Sequence, residues 1–486
     1  MARARRGLVR EPSPTAGDPY AYGHGSRAFN VEHYDLELDY RVRTNRLAGV
    51  ARLRVRAIEP LHELALDLGP LVVQQVTVAG APPARHRHRA GRLVVRLVAE
   101  VPAGTQLDVL VRYAGTPRPV RSPWGEVGWE ELEDGVLVAS QPTGAPSWFP
   151  CNDRPDDKAT YRTSVTVENP YRPHAHGTLV RRTGRSGATT WVFEESRPTS
   201  PYLATVQIGR YSVVELASDP VPQQALVPPR LAAAARTRLA HHGDIMRLFT
   251  RLFGPYPFAT YTLVVTDDAL EIPVEAQGMS VFGSNHLGGL GGDPAAGDEG
   301  RRLVPHELAH QWFGNAVSVA GWRHIWLNEG FACYAEWLWS HESGGPTADT
   351  LARRHHARLA ALPQDLVLAD PGPATIFDDR VYKRGALTLH ALRLVLGDAA
   401  FWGLVRGWTA RHAGGSASTD DFRAAAAEHA RRSGGDALVA RVDGLLADWL
   451  DAGRLPDLPP PAPVPVVSVT QRLGQLLRPS RGDAPS

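Results

Sequence analysis

The stretch PHELAHQWFGN, residues 305–315, decides how the rest of the chain is read. It places His306 and His310 four positions apart, with Glu307 beside the first. The surrounding pattern is helical, and on an α-helix positions i and i+4 lie one above the other on the same face. The two imidazoles can therefore offer nitrogens to one metal ion, with the Glu307 carboxylate projecting beside it. Two histidine ligands and a carboxylate able to deprotonate a metal-bound water form the arrangement by which a helix holds a hydrolytic zinc. Such a zinc needs a third protein ligand and one open position. WLNEGFACYAEW, residues 326–337, supplies a candidate in Glu329, which follows His310 after eighteen intervening residues at the start of the next helical segment. Glu336, seven positions further on, shares its face and is a candidate support for a ligand. Pro305 has no backbone N–H and fits a first helical turn, so the helix is expected to begin near Pro305 or to bend there.

The bulk properties frame this motif. A chain of 486 residues exceeds one ordinary core and implies two domains. With 43% hydrophobic and 21% charged residues it belongs to the soluble globular class. A formal net charge of +2 gives no electrostatic ground for a nucleic-acid or anionic-membrane partner. Of 53 basic residues only Lys158 and Lys383 are lysines, which, with abundant Ala, Gly and Pro, reads as coding bias. Cys151 and Cys333 are too few and too distant for a disulfide framework, so they are expected to be packed thiols in a reducing compartment. The start, MARARRGLVREPSPTAGDPY, carries Arg5 and Arg6 without an apolar run behind them, so no secretory or twin-arginine signal is expected. No apolar run approaches a membrane span, and the expected location is the cytoplasm.

Along the chain, residues 1–25 are polar and read as a flexible tail. Over 26–217 the dominant period is two. In HYDLELDYRV, Tyr34, Leu36, Leu38, Tyr40 and Val42 share one face; in ARLRVRA, Leu53 and Val55 oppose Arg52, Arg54 and Arg56. Short alternating strands separated by Gly and Pro turns, without helices between them, predict an antiparallel β-sandwich. The texture changes near residue 228. RLAAAARTRLAHHGDIMRLFTRLFG is helical, YTLVVTDDA reads as a strand, and GGLGGDPAAGDEG, residues 288–300, reads as a flexible loop. From 301 to about 450 nearly all is helical, so 218–455 forms a second domain. Residues 456–486 are proline-rich and read as an unfolded tail. RHRHR at 85–89 reads as a solvated strand edge, and the pairs His241–His242 and His355–His356 as helix surface.

HELAHQWFGN, WLNEGFA and VYKRG (381–385), with LFGPYPF (252–258) and SQPTGAPSWFPCNDRPDDKATY (140–161), resemble the zinc aminopeptidases of the aminopeptidase N and leukotriene hydrolase type. The resemblance runs from about residue 30 to 455. It implies an α+β multidomain fold: a saddle-like N-terminal β domain followed by a thermolysin-like, mainly helical zinc metallopeptidase domain. It also implies one zinc per chain held by His306, His310 and Glu329, with Glu307 as general base and Tyr382 donating to the tetrahedral oxyanion. Where the family carries G-A-M-E-N, this chain reads EIPVEAQGMS. Only the glutamate survives, so the resemblance assigns Glu275 to the substrate's free ammonium, with Glu271 a weaker competitor. Gln141, where relatives carry Glu or Gln, is assigned to the same amine site. Larger relatives continue into a helical domain over the cleft, and without it a more open, broadly selective site is expected. The implied activity is release of N-terminal residues from peptides with a free N-terminus. The alternatives are epoxide hydrolysis on the same zinc and a catalytically inactive peptide-binding scaffold.

Overall fold

The alternation that marks HYDLELDYRV buries Tyr34, Leu36, Leu38 and Tyr40 together, as residues two apart on a strand must be, and Val42 is buried in the turn that follows. In the computed structural model, which describes residues 17–79, 84–287 and 294–460, this strand is Phe29–Arg41 at the centre of a seven-stranded sheet. Arg46–Ala57 pairs with it antiparallel, and Ala159–Glu168 runs parallel on its other side, the one exception to the antiparallel expectation in this sheet. A five-stranded sheet from Val120–Ser122 to Arg172–Ala175 and a three-stranded sheet of Leu61–Asp67, Arg92–Val101 and His86–Arg89 complete the domain. Their inner faces share one apolar core. His86–Arg89, within RHRHR, is an edge strand, mostly exposed as expected.

The second domain opens on its own five-stranded mixed sheet, ordered Ser212–Ala217, Gln223–Val227, Tyr261–Val265, Met279–Phe282 and Val274–Ala276. Ser212–Ala217 pairs here although its alternation continues that of the strands before it; a period-two pattern cannot tell which sheet a strand joins. Eight helices follow the first hairpin among the described residues: α1 (Ala232–Arg238), α2 (His242–Phe253), α3 (Pro294–Ala309), α4 (Trp326–Glu342), α5 (Ala348–Ala360), α6 (Asp379–Leu396), α7 (Asp398–His412) and α8 (Thr419–Asp451, kinked at Gly434–Gly435). No helix among the described residues is long and apolar enough to cross a membrane.

Four local expectations change. Helix α3 begins at Pro294, within the run read as a loop, and continues through Pro305 instead of starting there. Pro294 takes the first helical position, where no N–H is required; residues 288–293 lie outside the described residues. Residues 17–25, assigned to the tail, strap the two domains: the Asp18 carboxylate accepts the Trp322 N–H at 2.5 Å, and the Gly25 N–H donates to Asp67 at 2.8 Å. His242 is buried, stacked on Tyr261 and bonded to Gln223 at 2.8 Å. Its neighbour His241 is exposed, because adjacent helical positions point about 100° apart. At the other end, the Pro456 carbonyl meets His356 at 2.8 Å and Leu458 packs on the core, so the folded chain runs past 455. Residues 461–486 lie outside the described residues.

Candidate active site

Helices α3 and α4 cross so that His306 and His310 face Glu329. Each histidine Nε2 stands 3.5 Å from Glu329 Oε2, and the three ligand atoms lie within 4.8 Å of one another. Tetrahedral zinc at about 2.0–2.2 Å from each ligand sets its ligands about 3.3–3.5 Å apart, which these separations match. The outer nitrogens are committed elsewhere. His306 Nδ1 donates to Glu336 Oε1 at 2.7 Å, and His310 Nδ1 donates to the Phe313 carbonyl at 3.1 Å. Each Nε2 lone pair is thereby left for a metal, the tautomer a ligating imidazole requires. Burial pulls His306 down to about 4, so its ring is neutral at working pH.

Charge at the site favours a cation. Burial raises the Glu307 and Glu329 carboxyls well above the ordinary range, Glu275 and Glu336 raise both further, and Glu307 adds to the rise at Glu329. Burial also works to raise Glu336, but Lys383, the His306 hydrogen bond and Arg302 outweigh it and hold that carboxyl down to about 2. Arg302 donates to both Glu336 oxygens at 3.1 and 3.2 Å. Glu307 Oε2 is buried and has no protein partner among the described residues. A dication between two neutral imidazoles and a carboxylate fits this set in donor type and in charge.

Glu275 lies on the edge strand Val274–Ala276 and is buried, whereas Glu271 is exposed on the preceding turn. One Glu275 oxygen, one Glu307 oxygen and a His310 nitrogen lie within 4.8 Å of one another. Gln141 crosses from the first domain and donates Nε2 to Glu275 Oε1 at 2.6 Å, which leaves its carbonyl oxygen as an acceptor. The Tyr382 ring stacks on His306, centroids 6.1 Å apart and planes 16° from parallel. Burial raises its phenol well above the usual value, with Glu329, Glu275 and Glu307 adding to the effect, so it stays protonated as a donor. The structure thus brings His306, Glu307, His310, Glu329, Tyr382, Glu275 and Gln141 around one centre, and leaves Glu271 outside it.

Supports that spacing did not single out surround them. Gly330 follows Glu329 and Gly385 lies three positions after Tyr382; a Cβ on Gly330 would stand 2.9 Å from Gly385 backbone. Helices α4 and α6 therefore touch backbone to backbone, which brings Glu329 and Tyr382 to the same site. The signal available was a glycine inside each of two helical patterns. Gln311 Nε2 donates to the Ala276 and Met279 carbonyls at 3.2 Å, and Asn315 Nδ2 to Ala276 at 2.8 Å. Gln311 and Asn315 of HELAHQWFGN thus hold the strand bearing Glu275. Arg302, one turn before His306 on the same face, was visible as an i, i+4 relation.

Comparison with known proteins gives this geometry its family. The peptidase family M1 domain matches residues 238–449, and the peptidase M1 N-terminal domain matches 131–203. Aminopeptidase M1 of Arabidopsis thaliana is 24% identical over 434 residues, covering 81% of this chain and 48% of that protein. Glutamyl aminopeptidase of Mus musculus is 26% identical over 404 residues, covering 75% of this chain and 42% of that protein. The chain therefore spans about half the length of these curated relatives. An M1 zinc metallopeptidase variant from Deinococcus radiodurans, solved bound to a Tyr-ser-ala substrate, is 30% identical and superposes with a TM-score of 0.80. That match covers 92% of this chain and 99% of the solved one, which excludes a partial likeness. By its two matched domains, its architecture and its site, the chain belongs to peptidase family M1, whose cofactor is zinc.

Proposed function

We propose that the chain is a zinc-dependent aminopeptidase that removes N-terminal residues from peptides, with His306, His310 and Glu329 holding the metal. The observation that carries this reading is the placement of Glu275 and Glu307 oxygens within 4.8 Å of one another and of His310. In a peptide, two bonds separate the α-amine from its carbonyl carbon, a span of about 2.5 Å. An anion this close to the reacting centre, meeting the ammonium, leaves room for only the first peptide bond at the metal.

Zinc, when bound, supplies a Lewis acid for the scissile carbonyl and for water. Glu307 Oε2, unpartnered and buried, takes the proton of the attacking water and returns it to the departing amine. Tyr382 donates a hydrogen bond to the oxygen on which negative charge develops. Glu275 takes the ammonium as a counterion, while Gln141 orients that carboxylate and offers its own carbonyl as a further acceptor. The Tyr-ser-ala ligand of the Deinococcus relative, a peptide, supports the substrate class. Cys151 and Cys333, both free and buried, support the cytoplasm as the proposed compartment.

The test is hydrolysis of a set of aminoacyl fluorogenic amides, each with a free or an acetylated amine. Cleavage confined to the free-amine forms is expected. Comparable cleavage of the acetylated forms would leave the metal chemistry standing and refute the amine anchor.

A further inference from the structure

Only two of the 53 basic residues are lysines, and neither is an ordinary surface charge. Lys383 is buried against Cys333 Sγ at 3.3 Å. Lys158 is partly buried between the domains, on the segment leading into the strand Ala159–Glu168. Its Nζ donates to three backbone carbonyls of the second domain: Asn315 at 2.8 Å, Ala316 at 3.1 Å and Gly415 at 3.3 Å. No carboxylate lies within ion-pair distance of it among the described residues. Burial pulls the ammonium down to about 7. An ammonium brings three donors, one for each acceptor, where the neutral amine brings two.

Two of the clamped carbonyls, those of Asn315 and Ala316, belong to the turn that leaves the metal-binding helix; the third, Gly415, lies against it and also accepts the Ser318 N–H at 3.1 Å. The Asn315 N–H donates to the His310 carbonyl at 3.0 Å, and the Ala316 N–H to Gln311 at 3.1 Å. Within the same turn Gly314 has φ +123°, a conformation open to glycine, and a Cβ there would press on Asn328 at 3.3 Å. This turn carries the Phe313 carbonyl that accepts His310 Nδ1–H, and the Asn315 amide that holds Ala276 next to Glu275. One cation from the first domain therefore fixes the segment that orients a metal ligand on one side and the amine anchor on the other.

We propose that Lys158 is a positioning residue for the metal centre: its ammonium, caged by the Asn315, Ala316 and Gly415 carbonyls, fixes the turn that orients His310. The inference rests on reading His310 as a zinc ligand. It also accounts for a lysine where this chain otherwise uses arginine. Carbonyls converging on a single nitrogen suit a compact ammonium, whereas a planar guanidinium spreads its donors over three nitrogens and cannot bring one of them to all three oxygens.

The test compares the full-length chain with Lys158→Met, which keeps the side-chain volume, and Lys158→Arg, which keeps the charge. Zinc affinity is measured by competition with a chelator, and ligand geometry by the visible absorption of the cobalt(II)-loaded protein. Both are read without substrate, so an absence of aminopeptidase activity in the unsubstituted chain would refute the proposed function and leave this inference standing. Both variants are expected to melt as folded proteins, to bind zinc about 10- to 100-fold more weakly, and to show an altered cobalt spectrum. Unchanged zinc affinity and cobalt spectrum in a folded Lys158→Met would overturn the proposal, as would full retention of both in Lys158→Arg. Should neither fold, Lys158→Gln is read in the same way, and failure of all three to fold would assign Lys158 to fold stability and equally overturn the positioning role.

Discussion

Glu275→Gln is the perturbation that isolates the amine anchor. It preserves the volume of the side chain and its hydrogen-bonding partnership with Gln141, 2.6 Å away, and removes only the charge. Glu275 is buried, so solvent does little to screen what it sees. An ammonium about 4 Å from a carboxylate is attracted by about 4 kcal/mol at the effective dielectric of a protein site. The new amide still accepts one hydrogen bond, returning about 1 kcal/mol. The remaining loss of about 3 kcal/mol corresponds to about a 150-fold fall in kcat/KM for substrates with a free amine. Acetylated substrates have no ammonium to lose and are expected to change less than about threefold. The assay is the paired amide series, measured at saturating zinc so that a change in metal content does not enter. An equal fall for free and acetylated substrates would place Glu275 in support of the metal or of Glu307, and the reasoning that makes this an exopeptidase would fail. An unchanged free-amine rate would move the anchor elsewhere.

Three further outcomes follow from other contacts. Tyr382→Phe removes one oxyanion donor from a ring whose stacking on His306 survives, so kcat is expected to fall about 10²- to 10³-fold with KM and zinc content little changed. Gly385→Ala puts a methyl 2.8 Å from the Gly330 Cα, forcing α4 and α6 apart; a stability loss of about 1–3 kcal/mol by denaturant titration and a fall in kcat are expected together, and loss of one without the other would break the link drawn between that crossing and the site. His242 is pulled down to about 4 by burial, so its protonation is disfavoured in the folded state. Its contribution to stability is complete above the unfolded value of about 6.5 and is lost as pH falls from there through 4, to about 3 kcal/mol at pH 4. Melting curves of His242→Gln and the unsubstituted chain across that window should converge toward the acid end.

The sequence disclosed most where physics is local. His306, Glu307 and His310 sit on one helical turn, with the two histidines in the i, i+4 relation and Glu307 next to the first; Glu329 could be proposed because the second helix opens on it. The period-two faces of Phe29–Arg41 and Arg46–Ala57 are equally local and are buried as read. Where local pattern misled, a tertiary contact had overridden it. Ser212–Ala217 alternates like the strands before it but pairs forward into the second sheet. Residues 17–25 are polar and glycine-containing, yet Asp18 and Gly25 find partners in both domains. Pro294 looked like part of a loop because a proline that opens a helix has the same composition as one that ends it.

The amine site shows why such local reading stops where it does. Gln141 and Glu275 are 134 residues apart and belong to different domains, so no periodicity relates them; only the family resemblance brought them together before the fold did. Lys158 lies 157 residues from Asn315, beyond the reach of any local spacing. Both lysines of this arginine-rich chain are compact ammonium groups held at buried or half-buried contacts around the proposed metal site. Composition carried a positional signal that spacing could not express. The fold converts it into a specific claim, that one amine from the first domain governs how the second domain presents His310. Zinc affinity in Lys158→Arg decides that claim, because the substitution follows the chain's own habit and should fail where every other arginine succeeds.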